Sequence, residues 1–272
     1  MNLSDFNFPT DRTLVMGILN VTPDSFADGG RYNSLESAIF RGQAMLAQGV
    51  DIIDVGGEST RPGSQRVAVQ LELDRVLPVV AALFELGAVI SIDTTRAAVA
   101  VAALGAGAKI VNDISAGLAD SEMAGAVAAL EVPYVAMHSR GNAQTMNTFA
   151  KYEDVVAEVI SELSQRVATL TKAGVAKSNI ILDPGLGFAK EAAHNWSLLR
   201  GLSQIEGLGF PVLVGGSRKR FLGNLVGAAE PDARESATIA LTTSLALRRV
   251  WGVRVHDVRA HRDAIRVAEK MR

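Results

Sequence analysis

The chain has 272 residues, a length that suits one large α/β barrel or two smaller domains. Apolar residues make up 48% and charged residues 21%, which favours a sizeable buried core over disorder. A formal net charge of −2 without a run of Lys or Arg argues against a nucleic-acid partner, and the lack of cysteine excludes disulfides, thiolate nucleophiles and Cys-ligated metal centres.

The first twelve residues carry Asp5, Asp11 and Arg12 among scattered apolar residues, unlike the charged start and apolar stretch of a secretion signal. No apolar run approaches the roughly 18 residues of a membrane span. We therefore expect a cytoplasmic protein that does not enter a membrane.

Eight times along the chain, a short β-branched run is followed by a polar, Gly-rich turn and a longer Ala/Leu-rich segment of helical period. The runs are apolar on both faces, as parallel strands are when helices cover one side and a packed interior the other. The predicted strands are Leu14–Leu19, Asp51–Val55, Ala88–Ile92, Lys109–Val111, Tyr134–Met137, Asn179–Leu182, Pro211–Val214 and Gly252–Val255.

Helices are predicted between the strands, with a weaker signal for the sixth, near Asn195 to Gly201. Strands that alternate with helices give right-handed crossovers and a parallel sheet, and eight such units close into a TIM (β/α)8 barrel. A doubly wound open sheet is the alternative. We predict one domain over residues 1–272, with 1–13 as a lead-in. The other predicted helices are Ser34–Gln48, Val69–Glu85, Arg96–Gly105, Ser121–Leu130, Glu153–Lys172, Glu235–Arg248 and Ala260–Met271.

Polar residues follow nearly every predicted strand, at the end where a barrel of this kind carries its active site. A single Asp or Asn there is more often a turn former or a helix cap, but eight polar strand ends together favour a site. In chain order these residues are Asn20; Asp54, Glu58, Thr60 and Arg61; Asp93; Asn112 and Asp113; His138 and Arg140; Asp183; Ser217, Arg218 and Lys219; and Arg254, His256 and Asp257.

The character of these residues indicates two kinds of ligand group. Arg61, Arg254 and His256 lie near the first and last strands and suit an anion, and Ser217–Lys219 is predicted to open a helix that adds positive potential. Asp93 and Asp183 could accept hydrogen bonds from a nitrogen-rich ring, or they could pair with Lys219.

The remaining histidines and metal ligands give weaker signals. His138 follows an apolar strand, so a packed, hydrogen-bonded role is at least as expected as catalysis, and His194 and His261 are predicted at the surface. Because no H-E-x-x-H spacing occurs, a protein-caged zinc ion is not expected. A magnesium ion carried by a phosphate stays open.

Seven ordered segments, which cover nearly the whole chain, resemble the dihydropteroate synthases of folate biosynthesis. Ordered matches of this length are highly specific. The segments are LVMGILNVTPDSFADGGRY (14–32), DIIDVGGESTRPGS (51–64), ISIDTTR (90–96), IVNDIS (110–115), ILDPGLGFAK (181–190), VLVGGSRKRFLG (212–223) and VRVHDV (253–258).

The resemblance implies a homodimeric, Mg²⁺-dependent transferase that joins a dihydropterin pyrophosphate to p-aminobenzoate and releases pyrophosphate by a dissociative substitution. It implies catalytic roles for Asp93, Lys219, Arg254 and His256. The implied pterin contacts are Asp93, Asn112, Asp183 and Lys219. The implied pyrophosphate contacts are Asn20, Thr60, Arg61, Arg254 and His256, with Asn20 also helping to place the metal ion. The implied p-aminobenzoate contacts are Phe26, Arg61, Pro62, Lys219 and Arg220.

Some members of the family carry Ser where this chain has Arg220, which affects a side-chain contact to the p-aminobenzoate carboxylate. Two alternatives stay open: a pterin-binding methyltransferase of the corrinoid-dependent kind, and a non-catalytic paralogue that binds pterin. The sequence also leaves open whether the chain tolerates sulfonamides, which mimic p-aminobenzoate; differences in the loops 56–64 and 215–221 would decide this.

Overall fold

The computed structural model describes residues 2–22, 31–59 and 63–272, without the side chains of residues 31–34. Eight parallel strands follow one another in the order β6-β5-β4-β3-β2-β1-β8-β7. They are β1 (Leu14–Asn20), β2 (Ile52–Gly56), β3 (Ile90–Asp93), β4 (Ile110–Asp113), β5 (Tyr134–Met137), β6 (Ile180–Asp183), β7 (Leu213–Val214) and β8 (Gly252–Val255).

The two outer strands of this order, β6 and β7, also meet. A parallel bridge joins Leu182 to Val212, and the N–H group of Leu182 donates to the carbonyl of Pro211 at 2.9 Å. The sheet therefore closes into the predicted barrel, and the open-sheet alternative is wrong.

Helices connect the strands at the predicted places. The weakly marked sixth helix is present as two consecutive helices, and the helix predicted to open after Ser217–Lys219 begins at Arg220. Within the described ranges, no helix is both long and apolar enough to cross a bilayer. The α-helices are α1 (Arg31–Ala47), α2 (Val69–Glu85), α3 (Ala97–Gly105), α4 (Met123–Leu130), α5 (Val155–Lys172), α6 (Ala192–Arg200), α7 (Leu202–Glu206), α8 (Arg220–Val226), α9 (Glu235–Leu247) and α10 (Val258–Lys270).

The barrel interior has an apolar layer at its amino-terminal end, which we call the barrel floor. Six buried side chains from six strands form it, separate from the larger core between strands and helices: Met16, Ile52, Ile110, Val135, Ile181 and Leu213. Because side chains alternate along a strand, the residue two positions after each floor residue also faces inward. Asp54, Asn112 and Asp183 occupy such positions, so the opposite end of the barrel, the barrel mouth, is polar.

The lead-in packs against the floor. Leu3, Phe6, Phe8 and Trp251 contact the floor residues. The rings of Phe6 and Phe8 stack at 5.1 Å between centroids, and Phe8 meets Trp251 edge-on at 6.4 Å. Aromatic pairs in these geometries stabilise a packed cluster, so the lead-in covers the end of the barrel that lies away from the polar residues.

One histidine prediction is wrong. His261, expected at the surface, is fully buried on the face of α10 that packs against α9. Its Nδ1 lies 2.8 Å from Oγ1 of Thr242 and its Nε2 lies 2.8 Å from Oε1 of Glu235. The spacing of Val258, His261 and Ile265 follows one helix face, so the apolar neighbours at helical period could have indicated burial.

Candidate active site

A buried ion-pair network crosses the inside of the barrel mouth. The Nε of Arg254 donates to Oδ2 of Asp54 at 2.6 Å, and its Nη2 donates to Oδ2 of Asp93 at 2.7 Å. The amide of Asn112 also donates to Oδ2 of Asp54, at 2.9 Å. Since Arg254 lies level with Met16 on the neighbouring strand, its long side chain extends from floor height up to the mouth.

Burial governs the charge of Asp93. It raises the pKa of Asp93 to about 7, although the guanidinium of Arg254 opposes the rise. The carboxyl group therefore sits near its titration point at neutral pH, a common feature of functional sites. The interpretation of Asp93 as an ion-pair partner of Lys219 is replaced by its pairing with Arg254.

Asp183 is held at the end of β6 by the turn that follows it. Its Oδ1 accepts a hydrogen bond from the N–H of Gly185 at 2.7 Å. Its Oδ2 faces Gly215, where an added Cβ would lie at 3.4 Å. Burial raises the pKa of Asp183 to about 6, opposed first by the Gly185 hydrogen bond and then by the charge of Lys219.

Lys219 precedes α8 and its side chain enters the mouth. Its Nζ lies 4.2 Å from the centroid of the Phe188 ring, a cation–π contact. Burial lowers the pKa of Lys219 to about 8, assisted by Arg254 and opposed by Asp183 and Asp93. These mutual effects show that the charges of the four residues share one region, as the predicted convergence at the mouth requires.

His256 and Ser217 form a hydrogen-bonded pair at the ends of β8 and β7. Ser217 Oγ lies 2.8 Å from Nδ1 of His256 and accepts from the backbone N–H of His256 at 3.3 Å. The hydroxyl oxygen can accept from this N–H and donate its own proton to Nδ1; in that arrangement the ring proton lies on Nε2. Burial lowers the pKa of His256 to about 3, helped by Arg218 and Arg254, so the ring is neutral at neutral pH rather than basic.

Arg218 does not face the mouth. Its Nε donates to Glu235 at 2.6 Å and its Nη1 pairs with Asp232, while its backbone N–H donates to Oγ1 of Thr238. Of the predicted anion-binding segment Ser217–Lys219, Ser217 and Lys219 therefore lie at the mouth. Arg218 instead binds the start of α9. A left-handed backbone, with φ of 58°, accompanies this outward turn.

Several polar strand ends have the plainer role. Asp113 accepts from the backbone of Ser115 and Gly117 and from the hydroxyl of Tyr134. Asp257 caps α10 by accepting from the N–H of Ala260 at 3.2 Å. Turn formation and capping account for both residues.

The loop after β2 is tied to its neighbour in the same manner. Glu58 pairs with Arg96 at 3.0 Å and accepts from the N–H of Val67 at 2.8 Å. The guanidinium of Arg96 also pairs with Glu72. Glu58 therefore acts as a structural partner of this loop.

Asn20 ends β1 and is the predicted metal contact. A Cβ built on Gly56 would lie 3.5 Å from its Oδ1, so the amide oxygen borders the mouth. The described part of the chain holds no cluster of three or more His, Asp or Glu side chains suited to a metal ion. The single hard oxygen donor fits Mg²⁺ that keeps waters and phosphate oxygens as its other ligands.

Four of the predicted contacts, Phe26, Thr60, Arg61 and Pro62, lie outside the described residues. Arg220 is the first residue of α8 and is exposed. The structure therefore brings the predicted pterin contacts together, and the predictions for the two loops after β1 and β2 stay predictions.

Asp54 was identified from the sequence as a polar strand end but given no role, and two further residues of the site, Phe188 and Lys190, were not singled out. Asp54 joins Arg254 to Asn112, Phe188 lies against Lys219, and Lys190 supports the turn after Asp183. A charged residue within the apolar run of β2 was the available signal for Asp54, because buried charges are rare unless paired. Phe188 and Lys190 follow an irregular turn, which hydrophobic period does not describe.

The fold and the site define a (β/α)8-barrel enzyme with paired acids and bases inside its mouth. The sequence profile of the family described as pterin binding enzyme matches residues 16–256. The chain is 51% identical to the dihydropteroate synthase of Mycobacterium leprae (strain TN) over 259 residues, 93% of this chain and 91% of the relative.

Two solved structures are also similar. The Xanthomonas albilineans dihydropteroate synthase with 4-aminobenzoic acid superimposes with a TM-score of 0.92 at 42% identity, covering 97% of this chain and 94% of that one. The same organism's enzyme in complex with 7,8-dihydropteroate gives 0.88 at 40% identity, covering 97% and 95%.

The chain belongs to the pterin-binding enzymes and, within them, to the dihydropteroate synthases of folate biosynthesis, which are transferases. The methyltransferase alternative is therefore wrong. The described pterin contacts Asp93, Asn112, Asp183 and Lys219 all lie at the mouth, as expected of a catalytic member rather than a non-catalytic paralogue.

Proposed function

We propose that this chain condenses 6-hydroxymethyl-7,8-dihydropterin pyrophosphate with p-aminobenzoate to give 7,8-dihydropteroate and pyrophosphate. The observation that carries the proposal is the buried set of acids and bases in one barrel mouth, in which Arg254 bridges Asp54 and Asp93. The neighbouring structures contain 4-aminobenzoic acid and 7,8-dihydropteroate, the second substrate and the product of this reaction.

The pterin ring is proposed to lie inside the mouth. Its amino and ring N–H groups present adjacent donors, and the carboxylates of Asp93 and Asp183 supply buried acceptors on separate strands. Lys219 donates to a ring acceptor, and the amide of Asn112 completes the edge. Such charge-assisted hydrogen bonds fix the ring orientation and place the methylene carbon towards the opening.

The pyrophosphate is proposed to lie towards the rim, near Arg254 and His256, with Asn20, Thr60 and Arg61 as further contacts. Since His256 is neutral at neutral pH, its Nε2–H acts as a hydrogen-bond donor rather than a cation. Hydrogen bonds to Asp54 and Asp93 hold the guanidinium of Arg254 in the mouth. It is proposed to attract the negative charge that develops on the departing pyrophosphate from this fixed position.

The bond between the methylene carbon and the pyrophosphate oxygen breaks first, and its electron pair leaves with pyrophosphate. The electron-rich ring delocalises the resulting cation, and the ionised carboxylates of Asp93 and Asp183 stabilise it electrostatically. The arylamine lone pair then forms the carbon–nitrogen bond, and the amine releases a proton. No enzyme nucleophile takes part, in agreement with a chain without cysteine.

Mg²⁺ is proposed as the cofactor, with Asn20 as its protein ligand. When bound, the ion would neutralise charge on the departing pyrophosphate. The amide oxygen of Asn20 borders the mouth beside Gly56, which suits a shared site for phosphate and metal.

The p-aminobenzoate ring is proposed to lie above the pterin against Phe26, Arg61 and Pro62. Its carboxylate is received near Lys219 and Arg220, of which the exposed Arg220 is free to move towards it. Sulfonamides would compete for this position. Sulfonamide inhibition measured against p-aminobenzoate concentration tests whether the loops 56–64 and 215–221 of this chain confer tolerance.

We propose a homodimer formed through α8, α9 and α10, where α9 contacts both of its neighbours. Large apolar side chains are exposed on this side: Leu225, Val226, Leu247, Val267 and Met271. Exposed apolar side chains on neighbouring helices favour an interface at this side of the barrel. Sedimentation should give a dimer for the native chain and a monomer for Val267→Glu; a native monomer at micromolar concentration would contradict the proposal.

A cytoplasmic location is proposed on the chemistry of the substrate, because a doubly charged pyrophosphate ester does not cross a bilayer unaided. Fractionation of cells that express the chain checks it. Recovery of the activity in the membrane or secreted fraction would contradict it.

The activity is tested by measuring pyrophosphate release from the dihydropterin pyrophosphate with and without p-aminobenzoate and Mg²⁺. We expect release that requires both, and 7,8-dihydropteroate in equal amount. Titration calorimetry with the pterin substrate separates binding from turnover. Tight binding without release would contradict the proposed catalysis, and no binding would contradict the site.

A further inference from the structure

The turn that follows β6 carries unusual backbone conformations. Gly185, Gly187 and Ala189 all have a positive φ, of 69°, 77° and 49°. At Gly185 an added Cβ would lie 1.8 Å from the carbonyl oxygen of His138, so only glycine fits there. Ala189 has a Cβ and still adopts the left-handed region, which residues other than glycine rarely adopt. Such a turn persists only where its surroundings fix it.

Lys190 lies next to this turn and is buried, with 9% of its surface exposed. Its Nζ donates to the carbonyl of Gly185 at 3.1 Å and to the carbonyl of Phe188 at 3.0 Å, and it lies 2.8 Å from Nδ1 of His138. Burial lowers the pKa of Lys190 to about 7, opposed by the charges of Asp183 and Glu162, so the ammonium and the amine are both populated at neutral pH. The ammonium form has three N–H donors and no acceptor, and these three acceptors saturate it.

His138 is prepared to accept that bond. Its Nε2 lies 3.0 Å from Oε2 of Glu162, whose pKa is lowered to about 2, first by this hydrogen bond and then by Arg140. Burial lowers the pKa of His138 to about 4, with the charge of Lys190 acting in the same direction. The ring is therefore neutral at neutral pH, with its proton on the side of the ionised Glu162 and its Nδ1 lone pair towards Lys190.

The turn after β6 touches two of the residues proposed to bind the pterin, Asp183 and Lys219. The N–H of Gly185 donates to Asp183, and the ring of Phe188 faces Nζ of Lys219. A Cβ on Gly187 would lie 3.0 Å from Cδ of Lys219. A shift of the turn would therefore displace Asp183 and Lys219 together.

We propose that Lys190 is a positioning residue for the pterin site: its ammonium, oriented by His138 and Glu162, fixes the 185–188 turn and thereby places Asp183 and Lys219. The role assigned to these two residues rests on the proposed function. Lys190 itself contacts neither substrate.

The chain contains no cysteine, which permits a sharp test. Lys190→Cys is alkylated in the unfolded state and refolded, once with a 2-aminoethyl group and once with an n-propyl group. The two proteins differ only in an ammonium against a methyl group at the end of a side chain of lysine length. The native chain is taken through the same unfolding and refolding as the reference.

We expect the propyl form to lose about 10²-fold in kcat/KM for the dihydropterin pyrophosphate, because a misplacement of about 1 Å costs that much. The aminoethyl form should recover most of the loss. A purely structural role would lower Tm and leave kcat/KM of the folded protein unchanged. Equal kcat/KM for the two forms would overturn the proposal.

Thr13→Val serves as the matched control for the loss of a buried hydrogen bond, since the Thr13 hydroxyl donates to the carbonyl of Val250 at 2.7 Å near the barrel floor. It should lower Tm and leave kcat/KM as in the native chain. If the propyl form does not refold, His138→Leu takes its place, because it removes one of the three acceptors of Lys190. It should lower kcat/KM for the pterin substrate several-fold, and native kcat/KM would again overturn the proposal.

Hydrogen exchange separates this inference from the proposed function. In the ligand-free protein, loss of the ammonium should speed amide exchange at Gly185, Gly187 and Phe188 and leave the amides of β1 unchanged. This readout requires no activity. Native exchange in the turn of the propyl form contradicts the positioning role, whatever the activity of the native chain. Faster exchange in the propyl form together with an inactive native chain supports the positioning role and contradicts the proposed activity.

Discussion

The two ends of the barrel interior are built from opposite chemistry. At the floor, six strands contribute apolar side chains that are wholly buried, and the lead-in covers them with Phe6 and Phe8. At the mouth, two residues further along three of these strands, the inward positions carry Asp54, Asn112 and Asp183. The floor gains stability from burial, while the mouth holds charges that are costly to bury.

The part of the barrel interior that stabilises the fold and the part that holds the proposed reactive groups are thus only two residues apart along a strand. In the mouth Asp54, Asp93 and Asp183 each accept at least one hydrogen bond, but the carboxyl groups of Asp93 and Asp183 still have raised pKa values. Such groups bind a ligand donor readily because they are poorly compensated in the free protein. Substitutions should therefore affect activity at one end and stability at the other.

The largest expected effect is at the mouth. Lys219→Ala removes a charged donor from the proposed pterin site and should lower kcat by about 10²–10³-fold, as loss of one pre-organised electrostatic contact does. Circular dichroism and Tm should stay close to those of the native chain, because Lys219 is only partly buried and has no carboxylate partner within salt-bridge distance among the described residues. Native kcat and KM for both substrates would refute the site assignment.

Asp54→Asn is a mouth substitution that should lower both stability and activity, and it therefore departs from the expected separation of the two effects. It leaves Arg254 with one carboxylate; because the side chain of Arg254 is 20% exposed, the cost should lie at or below the about 3–5 kcal/mol of a broken, fully buried pair. Because Arg254 would also shift, kcat/KM should fall by about 10-fold or more. Urea unfolding and steady-state kinetics measure the two effects.

The matched control is Asp51→Asn, which removes the ion pair of Asp51 with Arg12 before β2, at the floor end. It should lower the free energy of unfolding without changing kcat/KM. Equal kinetic losses in the two variants would show that the Asp54 effect is a general consequence of instability.

Val135→Ala sharpens the comparison from the floor. Val135 is fully buried there, on a strand that ends without a predicted substrate contact. Removing two methyl-sized groups should cost about 2 kcal/mol in the free energy of unfolding. A chain of 272 residues should lose about 3–4 °C in Tm. Kinetic constants of the folded variant should stay native; a fall of tenfold would show that the floor and the mouth are mechanically coupled.

The barrel was predictable from sequence because the alternation of apolar strands and amphipathic helices is local and repeats eight times. The convergence of Asp93, Asn112 and Asp183 followed from it, since parallel strands bring their carboxyl ends to one edge. The partners of these residues were not predictable in the same way. Arg254 lies at floor height and reaches Asp93 through the length of its side chain, which hydrophobic period does not encode.

The sequence also did not predict the charge state of His256 or the burial of His261. His256 was expected as a base, but burial beside Arg254 and Arg218 makes it neutral. His261 was expected at the surface, yet it is buried and two hydrogen bonds satisfy it inside. Both outcomes depend on three-dimensional neighbours, so sequence gives the position of such a residue and not its protonation.

The smallest expected effect is the part of the pH dependence that Asp183 contributes. The ionised form of Asp183 is the hydrogen-bond acceptor for the pterin ring, and its pKa is about 6. Between pH 5.5 and 7.5 its ionised fraction rises about fourfold, so kcat/KM for the pterin substrate should rise by a similar factor through this group. Asp183→Asn should lower kcat/KM and remove this part of the profile, which separates it from the titration of the substrate.

Stability should change in the opposite direction over the same range. The folded-state pKa of Asp183 lies above the value of an unfolded Asp, so the folded protein binds more protons than the unfolded chain between about pH 4 and 6. The stabilising contribution is full below about pH 4 and is lost as the pH rises through 6. Urea unfolding of the native chain and of Asp183→Asn should therefore diverge with opposite sign to kcat/KM. If activity and the Asp183-dependent part of the stability both rose with pH, the ionised carboxylate of Asp183 would be well stabilised in the ligand-free protein. The mouth would then differ from the floor in polarity, but it would not hold a charge that is costly to bury.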